Sequence, residues 1–345
     1  MFRDVVLQDT RPEEWPEIRR RIHTRVMGSM GTAPDLVIEP EHEVLEQYER
    51  YGLRHVKIRY RVMPDEWGLA VLVLPEGVDD AHPGRAVVVC HGTYGGKLGK
   101  TGPLTVDGPE CAYAIELAQR GFVTATPDNY LFGERITHGE TMPEDEVGRR
   151  YTEALRRFVD EHPEWSLDGR RLWENQRLLD VLDSLPYIRP GAHGVMGNSL
   201  GGRMTVFLAA FDERIAAAVP STGISPNLTN VYRVLSGHPA LLSSPLWIRH
   251  FQATGGHMLY DYADMIALCA PRALLVVEPY NDLYNPYIEA NFRCYLAGRR
   301  AYALLQKPEC FCTLNHGDGH ATIDDVRDYM YRWFSRWLRP ETVGS

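Results

Sequence analysis

Residues 194–203 read GVMGNSLGGR. An apolar run ends at Gly197, a lone serine follows at 199, and Gly201 and Gly202 lead into RMTVFLAAF. A serine here has two readings. It is an N-cap that serves its own helix, or it is a nucleophile held at the tip of a sharp strand-to-helix turn. The second reading needs small neighbours on both sides, which Gly197 and Gly201 supply. The five-residue pattern is short, so the flanking segments have to decide.

Those segments alternate in type. RAVVVCHG (85–92), FVTATPD (122–128), HGVMGNS (193–199), IAAAVPST (215–222) and RALLVVEP (272–279) read as buried strands. Between them lie helical patterns at 108–121, 171–186 and 201–212, and a last amphipathic helix at 324–338. Continuous apolar strands separated by helices predict a mostly parallel sheet covered on both faces. LRHVKIRYRV (53–62) and GLAVLVLPEG (68–77) predict an antiparallel hairpin leading into it. HEVLEQYERY (42–51) reads as a helix, as does EIRRRIHTRVMGSMG (17–31). The expected organisation is a helical extension over 1–55 and a catalytic domain over 56–345. Residues 221–268 are expected to form a lid or pocket-forming insertion, because long insertions in compact domains often cover a site.

Composition narrows the function. The chain has 345 residues, 44% hydrophobic and 24% charged, with a net charge of −9. A strongly acidic balance argues against nucleic acid and against an anionic membrane as partners. No apolar run approaches the roughly 18 residues needed to span a bilayer, and the N-terminus lacks the apolar core of a signal peptide. The expected location is cytoplasmic, with the six cysteines mostly reduced. The N-terminal helices are a candidate homodimer contact.

A serine hydroxyl needs a base, and the base needs an orienting acid. On a fold of this type the chain order is serine, acid, histidine. Asp282 stands in the loop after RALLVVEP, with Glu278 nearer the strand as its competitor. His320 stands in GDGH before the last helix, with His316 as the alternative. Two N–H donors are needed for the oxyanion. Leu200 follows the nucleophile, and Thr93 follows His91-Gly92 at the end of a strand. His91 itself reads as a structural loop residue. Tyr94, Phe132, Tyr280 and Tyr284 are candidates for the pocket wall. Cys310, Cys312, His316 and His320 invite a zinc reading, but structural zinc sites usually use wider Cys-x2-4-Cys spacing. No metal and no cofactor are expected.

With these residues in place, the chain resembles the α/β-hydrolase superfamily. It looks most like the dienelactone-hydrolase-like and acetyl-xylan-esterase-like branch of bacterial serine esterases. The motifs that carry this are VVVCHGTYGG, ELAQRGFVTATPDNYLFGER, GVMGNSLGGR, DMIALCAPRALLVVEPYND and GDGH, in that order over most of residues 60–340. The resemblance implies an eight-stranded, mostly parallel sheet and a Ser-Asp-His triad. Dienelactone hydrolases proper carry a cysteine where this chain has Ser199. The expected activity is hydrolysis of a small-molecule carboxylic ester through an acyl-enzyme. Amide or carbon–carbon bond cleavage and acyl transfer by the same triad are the rivals within enzymes. A non-catalytic ligand-binding homologue is the rival outside them.

Overall fold

A computed structural model describes residues 5–6, 8–31, 33, 35–93, 112–227, 245–255 and 259–338. Nine strands form one sheet in the order β1-β2-β3-β5-β4-β6-β7-β8-β9. They are β1 (His42–Arg50), β2 (Leu53–Met63), β3 (Glu66–Leu74), β4 (Ala86–Cys90), β5 (Val123–Pro127), β6 (His193–Asn198), β7 (Ile215–Ser221), β8 (Ala273–Pro279) and β9 (Phe311–His316). The first three strands run antiparallel, and β3 meets β5 antiparallel. From β5 through β9 every pairing is parallel. The fold is therefore α/β, with the mostly parallel sheet and antiparallel start that the alternation predicts.

Strand alternation builds two cores. Ala86, Val88 and Cys90 of β4 face one apolar layer, and Val87 and Val89 face the other. The first layer is closed by α1 (Trp15–Met30), α5 (Leu167–Ser184), α6 (Leu200–Phe211), α8 (Tyr262–Cys269) and α9 (Ile288–Leu304). The second is closed by α2 (Tyr113–Ala118) and α10 (Asp324–Trp337). A strand covered on both faces has no polar side to present, which is why β4 reads AVVVC. A short α3 (Glu134–Thr137) and the charged α4 (Glu144–Glu161) lie between β5 and α5, and α7 (Pro245–Ala253) precedes α8.

The sheet carries one more strand than the eight expected. Residues 42–50, read as a helix, form the edge strand β1. Its Glu, Gln and Leu content favours a helix locally, but backbone pairing with β2 along its length overrides that preference. Among the described residues, helix in the N-terminal section is thus confined to Pro12–Met30. Of the stretch 221–268, residues 228–244 and 256–258 lie outside the described residues. Its last segment, α8, is buried throughout and belongs to the core.

The site is positioned by strand order. β4 has β5 on one side and β6 on the other, so the connections leave its two sides toward opposite faces. Such a reversal opens a crevice beyond the carboxyl ends of the strands. Gly92 and Ser199 follow β4 and β6 directly into it.

Candidate active site

Ser199 sits between β6 and α6 with φ 60° and ψ −121°. A side chain with a Cβ is strained there. Its side chain makes no capping bond to its helix, so the N-cap reading loses its physical basis. Three hydrogen bonds hold the strained backbone. The Ser199 N–H donates to the Ser221 carbonyl at 2.9 Å and to Thr222 Oγ1 at 2.8 Å. The Thr222 hydroxyl donates in turn to Asn198 Oδ1 at 2.8 Å. Thr222 is itself left-handed, with φ 48°. The flanking glycines are required sterically. A Cβ on Gly197 would lie 2.4 Å from the Cys90 carbonyl oxygen, and one on Gly201 would lie 2.2 Å from it. The turn packs against the end of β4 with no room for a methyl group.

The loop after β4 passes the serine closely. A Cβ built on Gly92 would lie 3.7 Å from Ser199 Cβ and 3.5 Å from the Asn198 carbonyl oxygen. His91 is buried, and its Nε2 accepts the Asn129 N–H at 3.0 Å. That leaves the proton on Nδ1, which donates to the Gly92 carbonyl at 2.5 Å. His91 is a clamp between two loops, as its sequence position suggests. Thr93 is described and exposed beside this loop, whereas Tyr94 lies outside the described residues. Leu200 is the first residue of α6, so its N–H has no carbonyl one turn back to receive it.

Asp282 and His320 meet. Asp282 Oδ2 and His320 Nδ1 are 2.9 Å apart. The other Asp282 oxygen accepts the Tyr284 N–H at 2.7 Å. Burial works to raise the pKa of this carboxyl, but the His320 bond and the Tyr284 and Asn285 backbone bonds outweigh it and hold it below the usual value. The group stays ionised. Glu278 does not compete for His320. It is buried on β8 and accepts the Ile224 N–H at 2.8 Å. Burial pushes its carboxyl well above the usual carboxylate range. His316 points elsewhere too: its Nδ1 faces Asp318 at 3.2 Å, and burial lowers its pKa.

Two asparagines that the sequence reading passed over hold the histidine loop. Asn281 Nδ2 donates to the Gly317 carbonyl at 2.8 Å, and Asn281 Oδ1 accepts the Gly319 N–H at 2.9 Å. Asn198 Nδ2 donates to the His320 carbonyl at 3.3 Å. The elbow and the histidine are thereby tied through adjacent backbone.

The aromatic candidates separate. Tyr284 is 61% exposed, and its ring meets that of His320 edge-on at 4.7 Å. Tyr280 is exposed and leans on Phe292. Phe132 meets the His91 ring at 5.4 Å. Cys310 and Cys312 stand at the opposite end of β9 from His316 and the loop to His320. Among the described residues no cluster of three or more His, Cys, Asp or Glu side chains is placed to hold a metal ion. The five described cysteines are free thiols, and among the described residues no helix is long and apolar enough to cross a membrane.

A strained serine elbow at a sheet switch point, with an Asp–His pair whose histidine backbone is tied to the elbow through Asn198, defines the α/β-hydrolase class. A profile of the Abhydrolase family matches residues 4–315, and the chain belongs to that family. The chain is similar to "Putative hydrolase YtaP" of Bacillus subtilis (strain 168), with 22% identity over 284 residues, 78% of this chain and 83% of that protein. Among solved structures, a glucuronoyl esterase from Solibacter usitatus superposes with a TM-score of 0.71 at 14% identity, covering 96% of each chain. A protein described as a "putative acetyl xylan esterase" from Bacteroides fragilis gives a TM-score of 0.66 at 18% identity, over 91% of this chain and 78% of that one. At these identities the structural likeness establishes a shared fold.

Proposed function

We propose that this α/β-hydrolase is a serine esterase, cleaving carboxylic esters with Ser199, His320 and Asp282. The observation that carries the reading is the 2.9 Å bond between Asp282 and His320. An ionised Asp282 can only accept, so the imidazole proton resides on Nδ1 and the Nε2 lone pair is left to act as a base. Ser199 Oγ attacks the ester carbonyl carbon as its proton passes to Nε2. The imidazolium is stabilised by Asp282. The oxyanion is received by the N–H groups of Leu200 and Thr93, with the positive end of α6 behind it. Collapse breaks the carbon–oxygen bond, and Nε2 returns the proton to the departing alcohol. A water molecule, deprotonated by His320, then releases the acid and restores Ser199. The esterase names of the solved neighbours agree with ester chemistry in this fold.

The test is hydrolysis of a panel of acyl esters, amides and lactones by the wild type and Ser199→Ala. The expected outcome is turnover of esters by the wild type and background rates for the variant. Full activity in Ser199→Ala would remove the nucleophile and the mechanism with it.

A further inference from the structure

Four arginines are gathered around the loop Asp128–Arg135 and the first turns of α5 and α6, and three of them are paired. Arg135 binds Glu174 at 2.6 Å, Arg170 binds Glu66 at 2.6 Å and Glu174 at 2.8 Å, and Arg203 binds Asp168 at 2.5 Å. Arg171 is the fourth. It is 3% exposed, yet among the described residues it meets no carboxylate. Its Nε and one terminal nitrogen reach only the Tyr130 carbonyl, both at 3.4 Å, and its guanidinium carbon lies 5.1 Å from the Phe132 ring centroid. Asp128, in the same loop, turns its carboxylate to the Glu134 N–H beneath Gly133.

An enclosed cation without a counter-charge is costly, and arginine cannot relieve the cost by losing its proton. The arrangement is nevertheless held firmly. Leu131, between the residues that supply the carbonyl and the ring, is left-handed at φ 67° and buried. Strained backbone of this kind clusters at functional sites. A run of contacts leads from this ring to the serine. The Phe132 ring abuts His91, which is bonded to Gly92, and Gly92 passes against Ser199. One turn along α5, Asn175 donates to the Arg171 carbonyl at 2.8 Å and contacts Cys90 Sγ, at the end of β4, at 3.9 Å.

We infer that Arg171 forms a carboxylate-recognition subsite, selecting esters that bear a second, ionised carboxylate. The guanidinium has five N–H groups, and most are left for a ligand. A planar guanidinium edge matches a planar carboxylate with two parallel bonds. This inference rests on the esterase reading of the same site.

The test uses two matched pairs: monomethyl succinate against methyl butyrate, and acetoxyacetate against propyl acetate. The wild type should favour the charged member of at least one pair in kcat/KM. In Arg171→Met that ratio should fall roughly ten- to hundredfold. Arg171→Lys should fall between them, and Arg120→Met, a surface change on the other face, should leave the ratio as it was. Equal rates within both pairs for the wild type, or an unchanged ratio in Arg171→Met, would overturn the inference. Thermal unfolding with added succinate gives a readout independent of turnover. Succinate should raise the Tm of the wild type and not of Arg171→Met. If none of the four esters is cleaved, the succinate shift alone decides the subsite, and the wider panel decides the esterase reading. If Arg171→Met does not fold, the wild-type ratio and succinate shift decide it. Protection by inorganic phosphate equal to that by succinate would overturn the assignment to carboxylates.

Discussion

Asn198 donates its side-chain amide to the carbonyl oxygen of His320 across 3.3 Å. The residue immediately before the elbow serine therefore holds the backbone of the histidine, 122 positions away in the chain. The same side chain accepts the Thr222 hydroxyl that supports the Ser199 N–H. One asparagine thus sets both the serine and the histidine.

Asn198→Ala removes both bonds without touching a reacting atom. Misplacement of catalytic groups is expressed in turnover more than in binding. We expect kcat to fall about tenfold or more, with KM changed by less than roughly threefold. Steady-state kinetics on the best ester of the panel measures this. An unchanged kcat would mean that the two segments hold their places without the bond.

Asp282 and Glu278 are chemically alike and four residues apart, yet their surroundings separate them. Asp282 is held ionised against His320, whereas Glu278 is buried, accepts backbone N–H groups and stays protonated well above the usual range. Asp282→Asn should lower kcat roughly a thousand- to ten-thousandfold, by disturbing the imidazole tautomer. Glu278→Gln, which keeps an acceptor for Ile224, should lower it less than about tenfold. The reverse order of losses would reassign the acid.

Glu278 also makes stability depend on pH. Its folded-state pKa is raised, chiefly by burial. Below the ordinary value of 4.5 both folded and unfolded forms hold the proton, and the native state bears no penalty. As pH rises above it, the unfolded chain loses the proton and the folded chain keeps it, so stability falls until the folded pKa is passed. Gln has no proton to lose. The Tm of Glu278→Gln relative to the wild type should therefore increase between pH 5 and pH 8, as read by thermal melts. A difference that stays constant across that range would mean that Glu278 is ionised in the folded protein.

Much of this architecture is legible in the sequence, for a physical reason. Strands buried on both faces must be apolar throughout, so β4, β6 and β8 announce themselves, and an elbow needs glycines at fixed offsets. The sequence alone does not separate Asp282 from Glu278, because the choice depends on which carboxyl the loop after β9 reaches. β1 reads as helix in the sequence, since an edge strand exposed along most of its length shows no alternation and its residues favour helix. Asn198 and Asn281 carry no signal of their own, because their partners lie in segments brought together only by folding. Arg170 and Arg171 look identical in the chain. What separates them is that Glu66 and Glu174 reach one and not the other.

Covalent labelling asks whether Ser199 is the nucleophile. The protein is treated with a serine-directed fluorophosphonate, and its intact mass and peptide map are read beside residual ester hydrolysis. A nucleophilic Ser199 gives one adduct, on that residue, formed as activity is lost, and neither adduct nor hydrolysis in Ser199→Ala. An adduct at another residue that abolishes activity, or hydrolysis that survives in Ser199→Ala and is lost with a chelator, would contradict it.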